Sequence, residues 1–173
     1  MCTQRVKIHL KDNCVPYRVS APRLIPFRFQ EPAASEIAKH IVSGIIIPCD
    51  EPTNWCSLAF FVPKGDGKHI CLVTDYTKLN QYIVPFPSAP DILPSIPASA
   101  TCFAKLDGTH GYFQIPLDEE AFKLTTFILP SVRYRYLRAP LGLSSSSDEW
   151  CRHSDRVIEG FPWCRKIVDD ILV

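Results

Sequence analysis

Proline restricts the secondary structure of the first hundred residues more than any other residue type does. Of the 16 prolines, 12 precede residue 100, and the first four stand at positions 16, 22, 26 and 32. A long helix cannot cross them, because proline lacks the amide donor and collides with the turn before it. Five more prolines within residues 84–97 predict a linker that runs over the surface. We therefore expect three parts: an extended segment over 1–31, a first lobe with its linker over 32–97, and a second lobe over 98–173.

The composition is that of a globular protein with no general preference for a charged partner. Hydrophobic residues make up 46% of the chain and charged residues 21%, which excludes a disordered chain. The net charge is +1. Because a charge this small gives no long-range attraction to phosphate, any surface for nucleic acid has to be a local patch.

The cysteines predict free thiols in a reducing compartment. The chain has eight cysteines but no Cys-x₂-Cys pair, so a zinc site is not expected. No secretory leader is recognised at the start, and the longest aliphatic run, Ile45–Ile47, is too short to cross a bilayer. We expect an intracellular protein, of the cytoplasm or the nucleus, without a membrane partner. A metal- or redox-responsive cysteine protein is an alternative against which the scattered spacing argues.

Hydrophobic periodicity predicts alternating strands and helices. An apolar stripe from Ala34 to Ile45 indicates a helix that ends at Gly44. Residues 57–62 and 70–74 read as a hairpin with Lys64 and Lys68 at its tip. The second lobe is predicted to contain strands at 102–106, 125–129 and 134–138 and a strand before residue 169. A helix is predicted to start within Ser144–Ser147, with Ser146 and Glu149 as a capping box, and to run to about Glu159. This order predicts an α+β fold with helices on one face of a sheet.

Three carboxylates are the main candidates for chemistry. Asp107 ends a predicted strand, while Asp169 and Asp170 interrupt an apolar run at what reads as the tight turn of a hairpin. If the two strands are neighbours in one sheet, the acids converge and can hold divalent cations. The alternative is that Asp107 caps a turn and the Asp pair lies in a solvated loop. Spacing alone favours this alternative.

The motifs around these acids resemble those of reverse transcriptases. The segment Phe103–Leu117 resembles the first catalytic-aspartate motif, Arg133–Leu143 the motif that positions template and nucleotide, and Val168–Asp170 the x-Asp-Asp signature. Upstream, three further segments resemble parts of the fingers of the same enzymes: Asp50–Trp55, Val62–Lys68 and Thr74–Asn80. The combination resembles the pol polyprotein of gypsy-like long-terminal-repeat retrotransposons and covers nearly the whole chain.

The resemblance implies a fold and a set of roles. The fold is that of a right-hand polymerase, with fingers and an incomplete palm whose ferredoxin-like antiparallel sheet carries helices on one face. The expected activity is RNA-directed DNA polymerisation with Mg²⁺, or Mn²⁺ in its place. The expected partners are dNTP, an RNA or DNA template–primer, and either the remaining pol domains or a second copy of the chain. The implied catalytic metal ligands are Asp107, Asp169 and Asp170; the nucleotide contacts are Lys64, Tyr112, Phe113, Leu141 and Gly142; the nucleic-acid contacts are Lys68, Arg133 and Arg135.

Four positions depart from the family pattern, one of which is Pro94, in a stretch where the relatives are more helical. Cys71 stands where the family has an arginine for the triphosphate, Val132 replaces a common glycine, and Ile167 replaces an aromatic residue. A neutral thiol cannot clamp phosphate in the two-pronged way of a guanidinium. The ending at Val173 leaves a short return strand, so we expect the isolated chain to have little or no activity. A non-catalytic retrotransposon remnant, or a domesticated module that binds nucleic acid or protein, is the alternative to the enzyme.

Overall fold

The structure is a computed structural model that describes residues 5–65, 69–85, 101–102, 104–161, 163–167 and 170–173. Its helices are α1 (Gln30–Val42), α2 (Thr77–Asn80), α3 (Glu119–Leu124) and α4 (Ser144–Ile158), with 3₁₀ turns at Phe27–Phe29 and Gly111–Gln114. Its strands are β1 (Ile46–Pro48), β2 (Ser57–Pro63), β3 (Ile70–Asp75), β4 (Lys105–Asp107), β5 (Phe127–Ile128), β6 (Arg133–Tyr136), β7 (Arg165–Ile167) and β8 (Asp170–Leu172). The predicted α+β class is confirmed.

The larger sheet is mixed and has the order β1-β6-β5-β2-β3. Strands β2 and β3 form the predicted antiparallel hairpin, in register from Leu58 opposite Asp75 to Pro63 opposite Ile70. Strand β5 runs parallel to β2, and β6 runs antiparallel to both β5 and β1. Phe127, Ile46 and Ala59 are fully buried in this sheet, so its inner face forms the centre of the hydrophobic core.

The smaller sheet is antiparallel, with the order β4-β8-β7. We expected the strands after residue 98 to share one sheet, but β5 and β6 lie in the larger sheet with β1 and β2. The reason is burial: Thr125, Thr126 and Phe127 are completely enclosed, and Tyr136 is nearly so, between the two parts of the chain. Burial stabilises the apolar ring of Phe127, and the two threonine hydroxyls donate hydrogen bonds to backbone carbonyls where they are buried.

Helix α4 begins earlier than the capping box predicted. Ser146 lies inside the helix, where its hydroxyl donates to the carbonyl of Pro140 at 2.8 Å. Glu149 accepts from Arg152 at 2.7 Å instead of reaching back to Ser146. The proposed capping box is therefore wrong, because both of its side chains have other partners. Helix α1 also begins earlier than predicted, at Gln30, and Gly44 follows its end in the left-handed conformation (φ +62°) as expected.

The extended segment at the start is tied to the body of the protein by single bridges. Val6 pairs with Leu117, Leu10 with Ile83 and Arg18 with Cys56. Val6 and Ile8 are buried in the main core, so the segment is part of the folded unit. Among the described residues, no helix combines the length and apolar character needed to cross a bilayer.

Candidate functional site

The smaller sheet brings two of the three predicted acids to one register position. The Cα of Asp107 at the end of β4 is paired with that of Asp170 at the start of β8. Ile167, the last residue of β7, is paired with the same Asp170, so β7 and β8 are antiparallel neighbours. Asp169 lies outside the described residues. The backbone thus brings Asp107 and Asp170 to one register position of the smaller sheet.

The chemistry of these acids suits a hard divalent cation. Carboxylate oxygens are the protein ligands that Mg²⁺ prefers, and it commonly takes one or two of them while keeping other positions for phosphate or water. Among the side chains that the structure describes, no group of three or more His, Cys, Asp or Glu could hold a metal ion. The metal assignment therefore rests on the backbone register and the residue types.

The turn after Asp107 is built around a tryptophan of α4. A Cβ atom added to Gly108 would lie 2.6 Å from the Trp150 ring, and one added to Gly111 would lie 2.8 Å from it. Trp150 itself is buried. Between the glycines, His110 has a left-handed backbone (φ 52°), which is uncommon for a residue other than glycine. Helix α4 thus supports the turn that leads away from the first acid.

The two aromatic residues of the predicted nucleotide site contact different parts of the protein. The Tyr112 hydroxyl lies 3.4 Å from the Ser147 hydroxyl, and its ring meets Trp150 edge-on at 6.4 Å between centroids. Phe113 instead stacks on Tyr136 at 6.3 Å and meets the His40 ring edge-on at 5.6 Å. Tyr112 is therefore held against α4, and Phe113 packs against the core.

The turn before α4 is fixed by the side chain of Asn80. Its amide nitrogen donates to the carbonyl of Gly142 at 2.9 Å, and its amide oxygen accepts from the backbone N–H of Ser144 at 3.0 Å. Leu143 in this turn is buried, whereas Leu141 is 64% exposed. The predicted nucleotide contacts Leu141 and Gly142 thus belong to one anchored turn.

Lys64 and Cys71 lie on the same face of the β2–β3 hairpin. Cys71 is paired with Val62, and the N–H of Lys64 donates to the carbonyl of His69 at 2.7 Å, which continues the ladder to the tip. Side chains alternate along a strand, so Lys64 falls on the face of Val62, opposite to the buried Ala59 and Ile70. Lys64 is exposed, and Lys68 lies outside the described residues.

Arg135 does not lie on an exposed cationic face. Its guanidinium donates to Glu51 at 2.7 Å and to the Thr126 hydroxyl at 3.3 Å, and only 6% of its side chain is exposed. The hydrogen bond from Arg135 lowers the pKa of Glu51 below its ordinary value, and the charge of Arg135 adds to this effect. The predicted nucleic-acid contact is wrong for Arg135, because the strand turns this face into the protein. Arg133 is half-buried and keeps its assignment as a prediction.

A lysine ties the Asp-Asp hairpin to α4. Lys166 of β7 lies 2.5 Å from the Asp155 carboxylate and donates to the carbonyl of Cys151 at 2.5 Å. Its side chain is only 10% exposed. Sequence reasoning assigned no role to Lys166, Trp150 or Asn80. The two glycines shortly after Asp107 could have indicated that a bulky side chain packs against this turn. No local sequence pattern indicates the long-range contacts of Lys166 and Asn80.

Comparisons with known proteins find similarity to parts of retroelement polyproteins. It is 31% identical over 150 residues to the retrovirus-related Pol polyprotein from transposon gypsy of Drosophila melanogaster, covering 80% of this chain and 14% of that protein. It is 29% identical over 178 residues to the enzymatic polyprotein of Figwort mosaic virus (strain DxS), covering 98% of this chain and 26% of that protein. No protein-family model matches the chain.

The fold has a counterpart among solved structures. A foamy viral protease–reverse transcriptase in complex with double-stranded DNA matches 92% of this chain with a TM-score of 0.75 and 18% identity, and the chain spans 28% of that protein. The chain therefore corresponds to a minor part of each of these relatives. The homologues confirm the resemblance drawn from the motifs: the chain is similar to a part of retrotransposon Pol polyproteins and of viral enzymatic polyproteins.

Proposed function

We propose that this chain is the fingers and palm part of a reverse transcriptase, an RNA-directed DNA polymerase that adds a dNTP to a primer end. The larger sheet with the Lys64 hairpin forms the fingers, and the smaller sheet with α4 forms the palm. The observation that carries the proposal is the register of Asp107 opposite Asp170 on neighbouring strands. The family of the homologues and the fold of the foamy viral protein support it.

The proposed metal ligands are Asp107 and Asp169, with Asp170 beside them. Bound Mg²⁺, or Mn²⁺ in its place, would supply charge neutralisation for phosphoryl transfer. The protein's part is to hold the acids on adjacent strands and to position the reacting groups. Three-residue strands give little stability of their own, so we assign the precision of this arrangement to α4, through Trp150 and Lys166.

The proposed nucleotide contacts surround the turn after Asp107. Lys64 on the exposed face of the hairpin supplies a mobile positive charge for the triphosphate. Tyr112, braced by Ser147 and Trp150, lies beneath the sugar and rejects a 2′-hydroxyl by its bulk. Leu141 and Gly142 line the pocket, where Gly142 allows the backbone to approach closely.

Binding is the first test, because it examines the site without requiring turnover. We expect the purified chain to bind a labelled template–primer and then a matching dNTP in the presence of Mg²⁺. Asp107→Asn and Asp169→Asn should abolish dNTP binding while they leave the template–primer affinity nearly unchanged, and they should also abolish primer extension where extension is measurable. Mg²⁺-dependent dNTP binding that persists in both variants would contradict the proposal.

A second candidate function is a module that binds nucleic acid without catalysis. Cys71 favours it, because the hairpin face lacks the guanidinium that the family places there. The DNA held by the foamy viral protein makes a retained nucleic-acid surface reasonable. Cys71→Arg distinguishes the two candidates: it should raise dNTP affinity in a polymerase site and leave a binding module's affinity for dNTP undetectable.

A further inference from the structure

Asn80 lies outside the predicted site, but its side chain binds the turn that contains the predicted nucleotide contacts Leu141 and Gly142. We propose that Asn80 is a positioning residue for nucleotide, which holds the Leu141–Gly142 turn in the conformation that the nucleotide meets. This inference rests on the proposed function, because the assignment of that turn to the nucleotide pocket comes from it. The clamp itself is a property of the fold and can be tested separately.

The contact requires an asparagine. The amide of Asn80 uses its donor for the carbonyl of Gly142 and its acceptor for the N–H of Ser144. A carboxylate has no donor for a carbonyl, and an apolar side chain has neither group. Both distances, 2.9 and 3.0 Å, are ordinary for strong neutral hydrogen bonds. The two partners lie more than 60 residues further along the chain, so the clamp joins distant segments.

Two other contacts hold the turn, the hydrogen bond from the Ser146 hydroxyl to the carbonyl of Pro140 and the burial of Leu143, but neither binds the Gly142 carbonyl or the Ser144 N–H. Gly142 is in the left-handed region (φ +87°), and a Cβ at this position would lie 3.6 Å from the carbonyl oxygen of Thr74. Ser144 is the first residue of α4, and Leu143 at the N-cap supplies no side-chain cap. Helix starts need an acceptor for their first N–H groups. Asn80 therefore provides from a distance the cap that the local sequence lacks.

The position of Asn80 links two parts of the proposed site. It ends α2, the short helix that follows β3, and β3 is the second strand of the hairpin that carries Lys64. Asn80 holds the turn from the side of α2, while Leu141 of the same turn remains exposed. A displacement of the hairpin would thus be transmitted through Asn80 to the turn. The clamp sets the distance between the hairpin and the wall of the nucleotide pocket.

Hydrogen exchange tests the clamp directly. In the purified full chain, Asn80→Ala should speed exchange at the start of α4, residues 143–147, roughly five- to thirtyfold, the effect of losing a cap. Asn80→Asp retains the acceptor for Ser144 and should restore most of this protection. Asn13→Ala removes an exposed asparagine from another turn of the chain and should leave exchange at residues 143–147 unchanged. Unchanged exchange in Asn80→Ala would overturn the inference.

Nucleotide binding tests the consequence. With template–primer and Mg²⁺ present, Asn80→Ala should weaken dNTP binding roughly tenfold, about the effect of one lost hydrogen bond, while the template–primer affinity stays within roughly twofold. Faster exchange with unchanged dNTP affinity would overturn the positioning role and leave a purely structural cap. Absence of dNTP binding by the unmodified chain would overturn the nucleotide role together with the proposed function, whereas the exchange result would still stand for the clamp.

Discussion

The two sheets of this molecule are stabilised in different ways. The larger sheet has a long hairpin and three of the most buried side chains of the core, Ile46, Ala59 and Phe127. The smaller sheet has strands of only three residues, and Leu106 in β4 is 53% exposed. Strands this short pair weakly and need another element to hold them. That element is α4, which contributes Trp150 behind the first acid and the partners of Lys166 beside the Asp pair.

The difference shows where the precision of the site originates. The acids lie on the sheet with the smaller core, and the helix that supports this sheet begins where Asn80, from the end of the larger sheet, fixes its first turn. Asn80 therefore stabilises the start of α4, and α4 in turn stabilises the strands that carry the acids. Each region also contains one nearly buried cation with an exposed acidic partner: Arg135 with Glu51, and Lys166 with Asp155. Variants of matched residues in the two regions can separate their contributions.

The largest effect is expected where the tryptophan meets the glycines. Gly108→Ala places a methyl group 2.6 Å from the buried Trp150 ring, and we expect a loss of about 1–3 kcal/mol in the free energy of unfolding. Trp150→Phe removes the outer ring and should recover part of this loss when the two changes are combined. Urea unfolding of the four proteins gives the coupling between the positions.

Gly65→Ala is the matched control in the hairpin of the larger sheet. A Cβ at Gly65 has no heavy atom within 4 Å, so the change should stay within about 0.5 kcal/mol. Additive effects of Gly108→Ala and Trp150→Phe would show that the ring does not constrain the turn after Asp107.

The next largest effect on stability is expected when the charge of Lys166 or of Arg135 is removed. Lys166→Met retains the apolar stem and removes the contacts with Asp155 and Cys151, which should cost about 1 kcal/mol because the acid is more than half exposed. Its hydrogen exchange should rise in β7 and β8 alone. Arg135→Met should instead raise exchange throughout the larger sheet, since Arg135 joins Glu51 and Thr126 inside it. The same pattern of faster hydrogen exchange in both variants would contradict the conclusion that the two sheets are stabilised separately.

A smaller effect distinguishes Arg133 from Arg135 in nucleic-acid binding. Arg133→Gln should weaken template–primer binding and reduce the slope of log K against log salt by about 1, the effect of one lost phosphate contact. Arg135→Gln should leave that slope unchanged, because its guanidinium is buried in the protein. An equal reduction by both variants would restore the cationic strand face that the sequence predicted.

The smallest effect is a pH dependence of stability that comes from His40 of α1. Burial lowers the pKa of His40 below its ordinary value of 6.5; Glu36 opposes this shift, and His110 and Lys39 add to it. The unfolded chain thus binds the proton more readily, so stability is fully present above about pH 6.5 and falls as the pH drops below it. The melting temperature should fall less on acidification in His40→Phe than in the unmodified chain. His9→Gln, an exposed position, should match the unmodified chain.

Local patterns in the sequence predicted much of the fold. The β2–β3 hairpin, α1 with its glycine end, and the extended start follow from proline positions, alternation and helical stripes. The membership of β5 and β6 in the larger sheet could not be predicted, because it depends on which distant surface buries Phe127 and Tyr136. The same limit applies to Arg135: alternation gives two faces to a strand but does not tell which one is covered.

The candidate site follows the same division. The motifs indicated Asp107, Tyr112 and the Leu141–Gly142 turn, since these residues are neighbours of short recognisable patterns. The supporting residues Asn80, Trp150 and Lys166 act across more than ten residues of chain, and their partners become apparent only in the fold. The capping box failed for this reason as well, because the acceptor at the start of α4 comes from Asn80.

The proposed cation site is tested most directly by counting bound Mn²⁺ through its electron paramagnetic resonance signal. With template–primer and dNTP present, the unmodified chain should bind Mn²⁺ in competition with Mg²⁺, and Asp107→Asn should weaken this binding at least roughly a hundredfold. Asp75→Asn, at the end of a strand in the larger sheet, retains an oxygen for the Thr77 N–H and should bind Mn²⁺ normally. Mn²⁺ binding that is absent from the unmodified chain, or unchanged in Asp107→Asn, would contradict a cation held by acids on adjacent strands.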